Sequence, residues 1–355
     1  MADALKTIIT LDYELYFGEN AGTVQRCLID PTDALLMTAK RAGFKLVFFV
    51  DAGFIFRLQQ QRHMTAEVDR QYSAVSRQLQ HIVRDGHDIQ LHVHPHWEDS
   101  HWHNGSWRMD TRRYRIHSFS KCDAHDIVTK YRHALSEASG YTEIVAYRAG
   151  GFAMQPFEHI AGALRDNKIL IDSSVLPGLF HGAADYGYDF RDAPQQGTWR
   201  FSDDPTIEVP LGEFLEIPIS SVVATPLTKL GSAVSKRFGP ELHAIYGDGY
   251  AVGARSLRNS LGRFRRLFEQ GPTPVTLDGF KSILIEKAYQ AHFAAKAETF
   301  VVIGHPKAIT PFALDRLAAF FQTCKPASFT YPMVTCALSG LRVGRVDSSR
   351  TTARN

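Results

Sequence analysis

A chain of 355 residues, 44% hydrophobic and 22% charged, has the composition of a soluble globular protein, long enough for one large α/β domain with insertions or for two domains. A net charge of +3 is too small to argue for nucleic acid as a partner, and no run approaches the ~18 apolar residues of a membrane span. Cys27, Cys122, Cys324 and Cys336 form no C-x-x-C pair, and no basic, apolar leader follows Met1, so free thiols and a cytoplasmic address are expected.

In chain order, residues 6–13 read as a buried parallel strand whose C-terminal end carries Asp12 and Glu14. Asp30-Pro31 supplies an N-cap and an N1 proline for a helix over 31–42, stopped by Gly43. A second buried strand over 45–51 and an amphipathic helix over 67–85 lead to a strand beginning at Asp88. The polar, aromatic loop 97–120 holds Trp97, Trp102 and Trp107. A helix over 123–139, a strand over 144–149 ending at Arg148, a helix over 155–166 and a strand over 169–173 continue the alternation expected of parallel βαβ units.

Residues 175–214 read as a long loop or hairpin layer, and 215–220 as a further strand at whose end Pro218 is tolerated. The stretch 224–272, with Lys229, Lys236, Arg237, Arg255, Arg258, Arg263, Arg265 and Arg266, reads as a solvated insertion or as a surface for an anionic substrate. Asp278 opens a helix to about 297, and a last buried strand over 299–303 runs into His305. A helix over 311–323 and a short strand near 328–332 close the domain, taken as 1–340, ahead of a polar, disordered tail over 341–355. The sequence has neither an internal repeat nor a glycine-rich phosphate loop.

His92, His94 and His96 fall at alternate positions, which an extended chain points to one face. Neutral imidazole is the commonest protein ligand for zinc-like ions, so the cluster points to metal, with a surface histidine-rich turn as the plain alternative. Functional groups also end four or five of the expected parallel strands: Asp12 and Glu14, the histidines, Arg148, His305 and Asp172. In a β/α barrel such strand ends share one mouth, which is where active sites form.

The ordered set resembles the polysaccharide deacetylase superfamily (carbohydrate esterase family 4, NodB-like). Its T-F-D-D-G motif, with D-x-D or D-x-E variants, corresponds to Thr10-Leu11-Asp12-Tyr13-Glu14, and its H-x-x-x-H motif to His92 and His96. Its arginine motif corresponds loosely to Arg148-Ala149-Gly150-Gly151, its Asp-Ser-Ser segment to Asp172-Ser173-Ser174, and its late histidine to His305. The resemblance runs over residues 6–310 and implies a distorted (β/α)7 barrel.

The resemblance also implies roles. Asp12 would be the general base, held oriented by Arg148, and His305 the general acid, with Asp172 a candidate to orient it. Glu14, His92 and His96 would hold one divalent ion, zinc first with cobalt, nickel, manganese or iron open, while His94 is a ligand, an outer partner or a substrate contact. Tyr13, Trp97, Gly150 and Ser173 are candidate substrate contacts.

The implied activity is removal of an N-acetyl group from a sugar, nucleotide- or lipid-linked, made for surface polysaccharide or lipopolysaccharide. A deformylase or cyclic-amide (allantoinase-like) hydrolase would need the same chemistry. An amidohydrolase barrel ranks lower, because its H-x-H ends the first strand and here the histidines end the third. Glu14 for the usual aspartate and the altered arginine motif leave room for a catalytically silent, glycan- or partner-binding member.

Overall fold

The computed structural model describes residues 5–183, 187–195, 197–226, 239–250 and 271–324, with residues 231, 235 and 237. From the N-terminus come β1 (Lys6–Tyr13), α1 (Asp30–Ala42), β2 (Val47–Asp51), α2 (Ala52–Gln61), α3 (Ala66–Arg84) and β3 (Asp88–Val93). The hairpin β4 (His101–His103) and β5 (Ser106–Arg108) precedes α4 (Lys121–Ser139), β6 (Ala146–Ala149), α5 (Ala161–Asp166) and β7 (Ile171–Asp172). Next are β8 (Phe180–His181), β9 (Tyr188–Asp189), β10 (Trp199–Phe201), β11 (Phe214–Glu216) and the ribbon β12 (Ser221–Ala224) and β13 (Gly271–Pro274). The last described elements are α6 (Ile285–Ala294), β14 (Thr299–Gly304) and α7 (Pro311–Thr323).

Eight strands form one sheet in the order β10, β11, β7, β6, β3, β2, β1, β14. Every neighbouring pair is parallel except β10 with β11. The parallel set is therefore seven strands, the distorted (β/α)7 barrel that the motifs implied. β2, β3 and β14 are buried along their whole length, as parallel strands are when covered on both faces.

The helices follow from local chemistry. In α3, Val68, Val75, Leu79 and Ile82 fall on one stripe and are buried, each contributing about 1.5–3 kcal/mol against exposure. Thr65 accepts from the Val68 N–H to cap it, Ser120 caps α4 through the Asp123 N–H, and Thr310 caps α7 through the Ala313 N–H.

The barrel wall is completed without a ladder between β11 and β14. Beyond β11 the chain crosses to β14, where the Ser220 N–H donates to Val301 O (3.0 Å) and the Ser220 hydroxyl accepts from the Val301 N–H (3.0 Å). Val275 N–H donates to Ser220 O (2.8 Å), and Leu277 N–H to Ile303 O (2.8 Å). A side-chain oxygen thus takes the place of a strand carbonyl at the seam.

Several expected boundaries differ. Asp30 does not cap α1: a π-helical turn over Gln25–Ile29 precedes it, and the Thr23 hydroxyl accepts from the Arg26 N–H instead. The helix expected over 155–166 is a 3-10 turn, Phe157–His159, and then only α5, because Pro156 and the loop before it hold the chain extended. The helix expected from Asp278 is a 3-10 stretch, Gly279–Leu284, followed by α6, and the Asp278 side chain makes no cap. α2 was not anticipated. The 328–332 strand, the 341–355 tail and most of the basic 224–272 stretch lie outside the described residues. Among the described residues no helix is long and apolar enough to cross a membrane.

Replacing Ser220 with alanine leaves the buried Val301 N–H without its acceptor. The expected cost is about 1–3 kcal/mol of unfolding free energy, read from urea denaturation; an unchanged midpoint would mean that the seam carries no weight.

Candidate active site

All seven parallel strands end in a titratable group at or just beyond their C-termini: His305 after β14, Asp12 on β1, Asp51 on β2, His92 on β3, Arg148 on β6, Asp172 on β7 and Glu216 on β11. Side-chain alternation sorts them. Thr10, Asp12 and Glu14 face the barrel interior, whereas Tyr13 points the other way and donates its hydroxyl to Gln78 Oε1 (2.9 Å). Tyr13 is therefore a packing residue, and the expected substrate contact is not made there.

Arg148 is fully buried and reaches across the barrel. Its Nη1 donates to Asp12 Oδ1 (2.6 Å) and Thr10 Oγ1 (3.0 Å), its Nε to Ser173 O (2.7 Å) and its Nη2 to Ser173 Oγ (2.9 Å). The guanidinium also lies 4.0 Å from the Phe49 ring centroid. Oδ2, the other oxygen of Asp12, turns toward His92 Nε2 (3.9 Å) and His305 Nε2 (3.8 Å).

Glu14 Oε2 lies 3.0 Å from His92 Nε2 and 2.7 Å from His94 Nε2, and the two imidazole nitrogens are 3.1 Å apart. These three buried groups could hold a metal ion. A tetrahedral ion with bonds of roughly 2.0–2.1 Å needs donors only slightly further apart than this. His92 Nδ1 lies 2.9 Å from the Arg148 carbonyl, which can only accept, so the proton sits on Nδ1 and the Nε2 lone pair faces the cluster.

The charges agree with such a site. Burial opposes ionisation of Glu14, but Lys307 and then His94 and His92 hold its carboxyl well below the usual range. Burial brings His94 down to about 4, and burial with the neighbouring His94 holds His96 well below the ordinary value, so both rings are neutral. For His92 burial acts downward, yet Asp12 and Glu14 raise it, a pull that a cation in the cluster would replace.

His96 enters a 3-10 turn, Pro95–Glu98, with its ring centroid 5.4 Å from that of His94, and is not among the three donors that meet at Glu14. Its ring is stacked on Tyr114 (5.6 Å, 5°), edge-on to Phe17 (4.8 Å), and both its nitrogens are buried without a hydrogen-bond partner. His94, one residue past β3, comes to Glu14 instead. Gly150 is where His94 needs room: a Cβ there would stand 2.5 Å from His94 Nδ1.

His305 Nδ1 lies 2.8 Å from Asp278 Oδ2, and its backbone N–H donates to Asp278 Oδ1 (2.9 Å). Burial acts against the charged ring, but Asp278, then Asp12 and Glu14, raise it to about 9. Asp172 was a candidate to orient His305, and the structure gives that place to Asp278. Asp172 accepts from the Ser174 N–H and hydroxyl (both 2.9 Å) and pairs with Glu216, which burial and Asp172 push well up. Two carboxyls so placed share a proton.

Trp97 is fully buried, with Nε1 donating to Asp51 Oδ2 (2.6 Å), so it is core and offers no face to a sugar. Ser173 is buried beneath Arg148 and is likewise not a substrate contact. Trp102 keeps partial exposure and lines a surface cleft of about 890 Å³ with Glu19, Asn20 and Arg70. Sequence reasoning missed Asp278 and Lys307; the latter donates to Glu14 Oε1 (2.9 Å) and Leu15 O (2.5 Å).

No family model matches the chain, and no curated protein matches its sequence. Among solved structures, a protein from Mycobacterium smegmatis described as a polysaccharide deacetylase superposes over 100% of this chain and 96% of its own, with TM-score 0.52 and 14% identity. The Puue allantoinase (94% and 89% covered, 12% identity) and the peptidoglycan deacetylase PdaC from Bacillus subtilis (97% and 98%, 10% identity) align with TM-scores of 0.47 and 0.37. The first of these carries the fold assignment: the chain has the polysaccharide-deacetylase type of barrel.

The Asp278–His305 pair makes a titration prediction. A carboxylate that favours the charged ring raises its pKa, so Asp278→Asn should move His305, followed by NMR in metal-free protein, from about 9 down toward the ordinary 6.5. Because the folded-state value lies above the unfolded one, the pair's stabilisation is full below 6.5 and is lost as pH rises through about 9. An unmoved titration in the variant would remove Asp278 from this role.

Proposed function

We propose that the protein is a metal-dependent hydrolase that removes the N-acetyl group from an N-acetylated sugar. The observation that carries this reading is the placement of a carboxylate oxygen and a protonatable imidazole beside one donor cluster. Asp12 Oδ2 lies 3.8 Å from His305 Nε2, and His305 Nε2 lies 3.7 Å from Glu14 Oε1.

Glu14, His92 and His94 would hold the ion, with His96 the ligand that the family pattern would add. When bound, a divalent cation lowers the pKa of water and polarises an acyl oxygen. Zinc suits a histidine–carboxylate set, as do cobalt, nickel, manganese and iron. Asp12 accepts the proton of the attacking water at Oδ2, while Arg148 fixes the carboxylate through Oδ1. His305 gives its Nε2 proton to the departing nitrogen, and Asp278 holds the ring by Nδ1 so that Nε2 faces the centre. Phe17 and Tyr114 pack over the histidines and keep the centre dry. A nucleotide- or lipid-linked sugar on the way to a surface polysaccharide, met in the cytoplasm, is the substrate class this reading favours.

Two measurements test it. Metal content by mass spectrometry should give about one ion per chain after reconstitution with zinc, cobalt or nickel, and His92→Ala/His94→Ala should lose it. Acetate release from N-acetyl sugar donors should fall roughly 10²–10⁴-fold in Asp12→Asn and in His305→Ala. Formate from a formamido sugar in place of acetate would redirect the assignment to a deformylase. Absence of metal from the reconstituted wild type would sink the mechanism.

A further inference from the structure

The cluster contains a cation of its own. Lys307 follows His305-Pro306 in a 3-10 turn, Pro306–Ala308, and is buried despite its charge. Its main chain is pinned: Lys307 O accepts from the Gly247 N–H (3.0 Å) and from the Tyr16 hydroxyl (3.2 Å). Its ammonium lies 4.9 Å from the ring centroids of both Tyr16 and Phe17 and donates to Glu14 Oε1 and Leu15 O. A buried ammonium is costly unless paired and hydrogen-bonded, and here it is both.

The two oxygens of Glu14 are divided. Oε1 takes the Lys307 ammonium at 2.9 Å, and Oε2 takes both imidazole nitrogens at 3.0 and 2.7 Å. An ammonium competing with a metal for the cluster would sit among the three donors, against Oε2. Instead the Lys307 contact falls on Oε1, the oxygen that faces His305 (3.7 Å) and not the one that meets His92 and His94. Glutamate also has one more side-chain torsion than aspartate, so its carboxylate can swing, or offer both oxygens to an ion, unless something fixes it.

We propose that Lys307 is a positioning residue that reserves Oε1 of Glu14, so that Oε2 alone is presented beside His92 and His94 as a single-oxygen metal ligand. This rests on the metal site proposed above. It explains how a chain with glutamate at this position keeps a defined donor set, since the clamp removes the freedom that the extra methylene introduces. Lysine acts here through its charge and its hydrogen bond, as groups that orient metal ligands do.

The test is metal affinity and ligand geometry, independent of turnover. Metal-free wild type, Lys307→Met and Lys307→Arg are titrated with Zn²⁺ and Co²⁺ against a chromophoric chelator, and the visible spectrum of each Co²⁺ form is recorded. Lys307→Met should weaken both ions by about 10–100-fold. Its Co²⁺ bands should also shift and lose intensity as the second Glu14 oxygen enters the coordination sphere. Lys307→Arg, which keeps the charge and the donor, should recover most of the affinity and the wild-type spectrum. Should the methionine variant fail to fold, Lys307→Gln takes its place, with the same losses expected.

Unchanged or tighter binding by Lys307→Met or Lys307→Gln, with an unchanged spectrum, would overturn the proposal and make Lys307 a plain counter-charge. In that case wild-type metal binding leaves the hydrolase reading standing. A wild type that binds neither ion removes both.

Discussion

A guanidinium with no access to solvent ties this barrel together across its interior. Arg148 starts on β6, bonds Thr10 and Asp12 on β1, bonds Ser173 just past β7, and lies over Phe49 of β2. Four parallel strands are thus referenced to one planar cation. Burying it is tolerable because its donors are met and Asp12 supplies the opposite charge; removing one partner of such a pair costs about 3–5 kcal/mol. The same contact decides which oxygen of Asp12 is left for chemistry. Stability and function therefore share one hydrogen bond, between Nη1 and Oδ1.

Around that cation the charges alternate. Arg148 stands against Asp12, Lys307 against Glu14, and His305 against Asp278. Asp172 and Glu216, behind the arginine, share a proton and do not draw it away from Asp12. The neutral His94 and His96 add donor atoms without adding charge. Asp12 and Glu14 are thereby each left with one oxygen held by a cation and one directed at the histidines, an arrangement suited to handling a proton and a cation in the same small volume.

Much of this was legible in the sequence because strands announce their ends. Apolar runs stopping at Asp12, at Arg148 and at His305 gave both the barrel and the side of it that matters, and the D-x-E motif paired Asp12 with Glu14. The rest depended on contacts that local pattern does not encode. An aspartate ahead of a helix reads as a cap, and Asp278 was read so; it goes to His305 because residues 275–277 run beside β14 and bring it there. Lys307, a charge after proline, looks like a surface turn until the tertiary fold brings it to Glu14, 293 positions away. Whether His94 or His96 meets Glu14 turns on where β3 stops, and Pro95 makes that a matter of one residue. Trp97, a candidate substrate contact, is core instead, because an aromatic loop can as readily be folded inward as displayed.

The seam beside β14 has a further consequence, for how the chain can change over evolutionary time. Ala224 and Gly271 face each other across the β12–β13 ribbon, so the two ends of the intervening stretch are held at one point by the barrel itself. Once a loop's ends are fixed, the entropy of closing it grows only with the logarithm of its length, about 0.6 kcal/mol per doubling. Within that stretch the Gly247 N–H holds Lys307 O and the Asp248 carboxylate accepts from the Thr23 N–H and hydroxyl, so a change of length is cheap only where it leaves these contacts in place, while an insertion within β1 or β3 would slip the register and turn Asp12 or His92 out of the barrel. The seam is thus a place where the chain can vary in length, attached through Ser220 to the strand that leads to His305, provided that the Gly247 contact holding Lys307 beside Glu14 is kept.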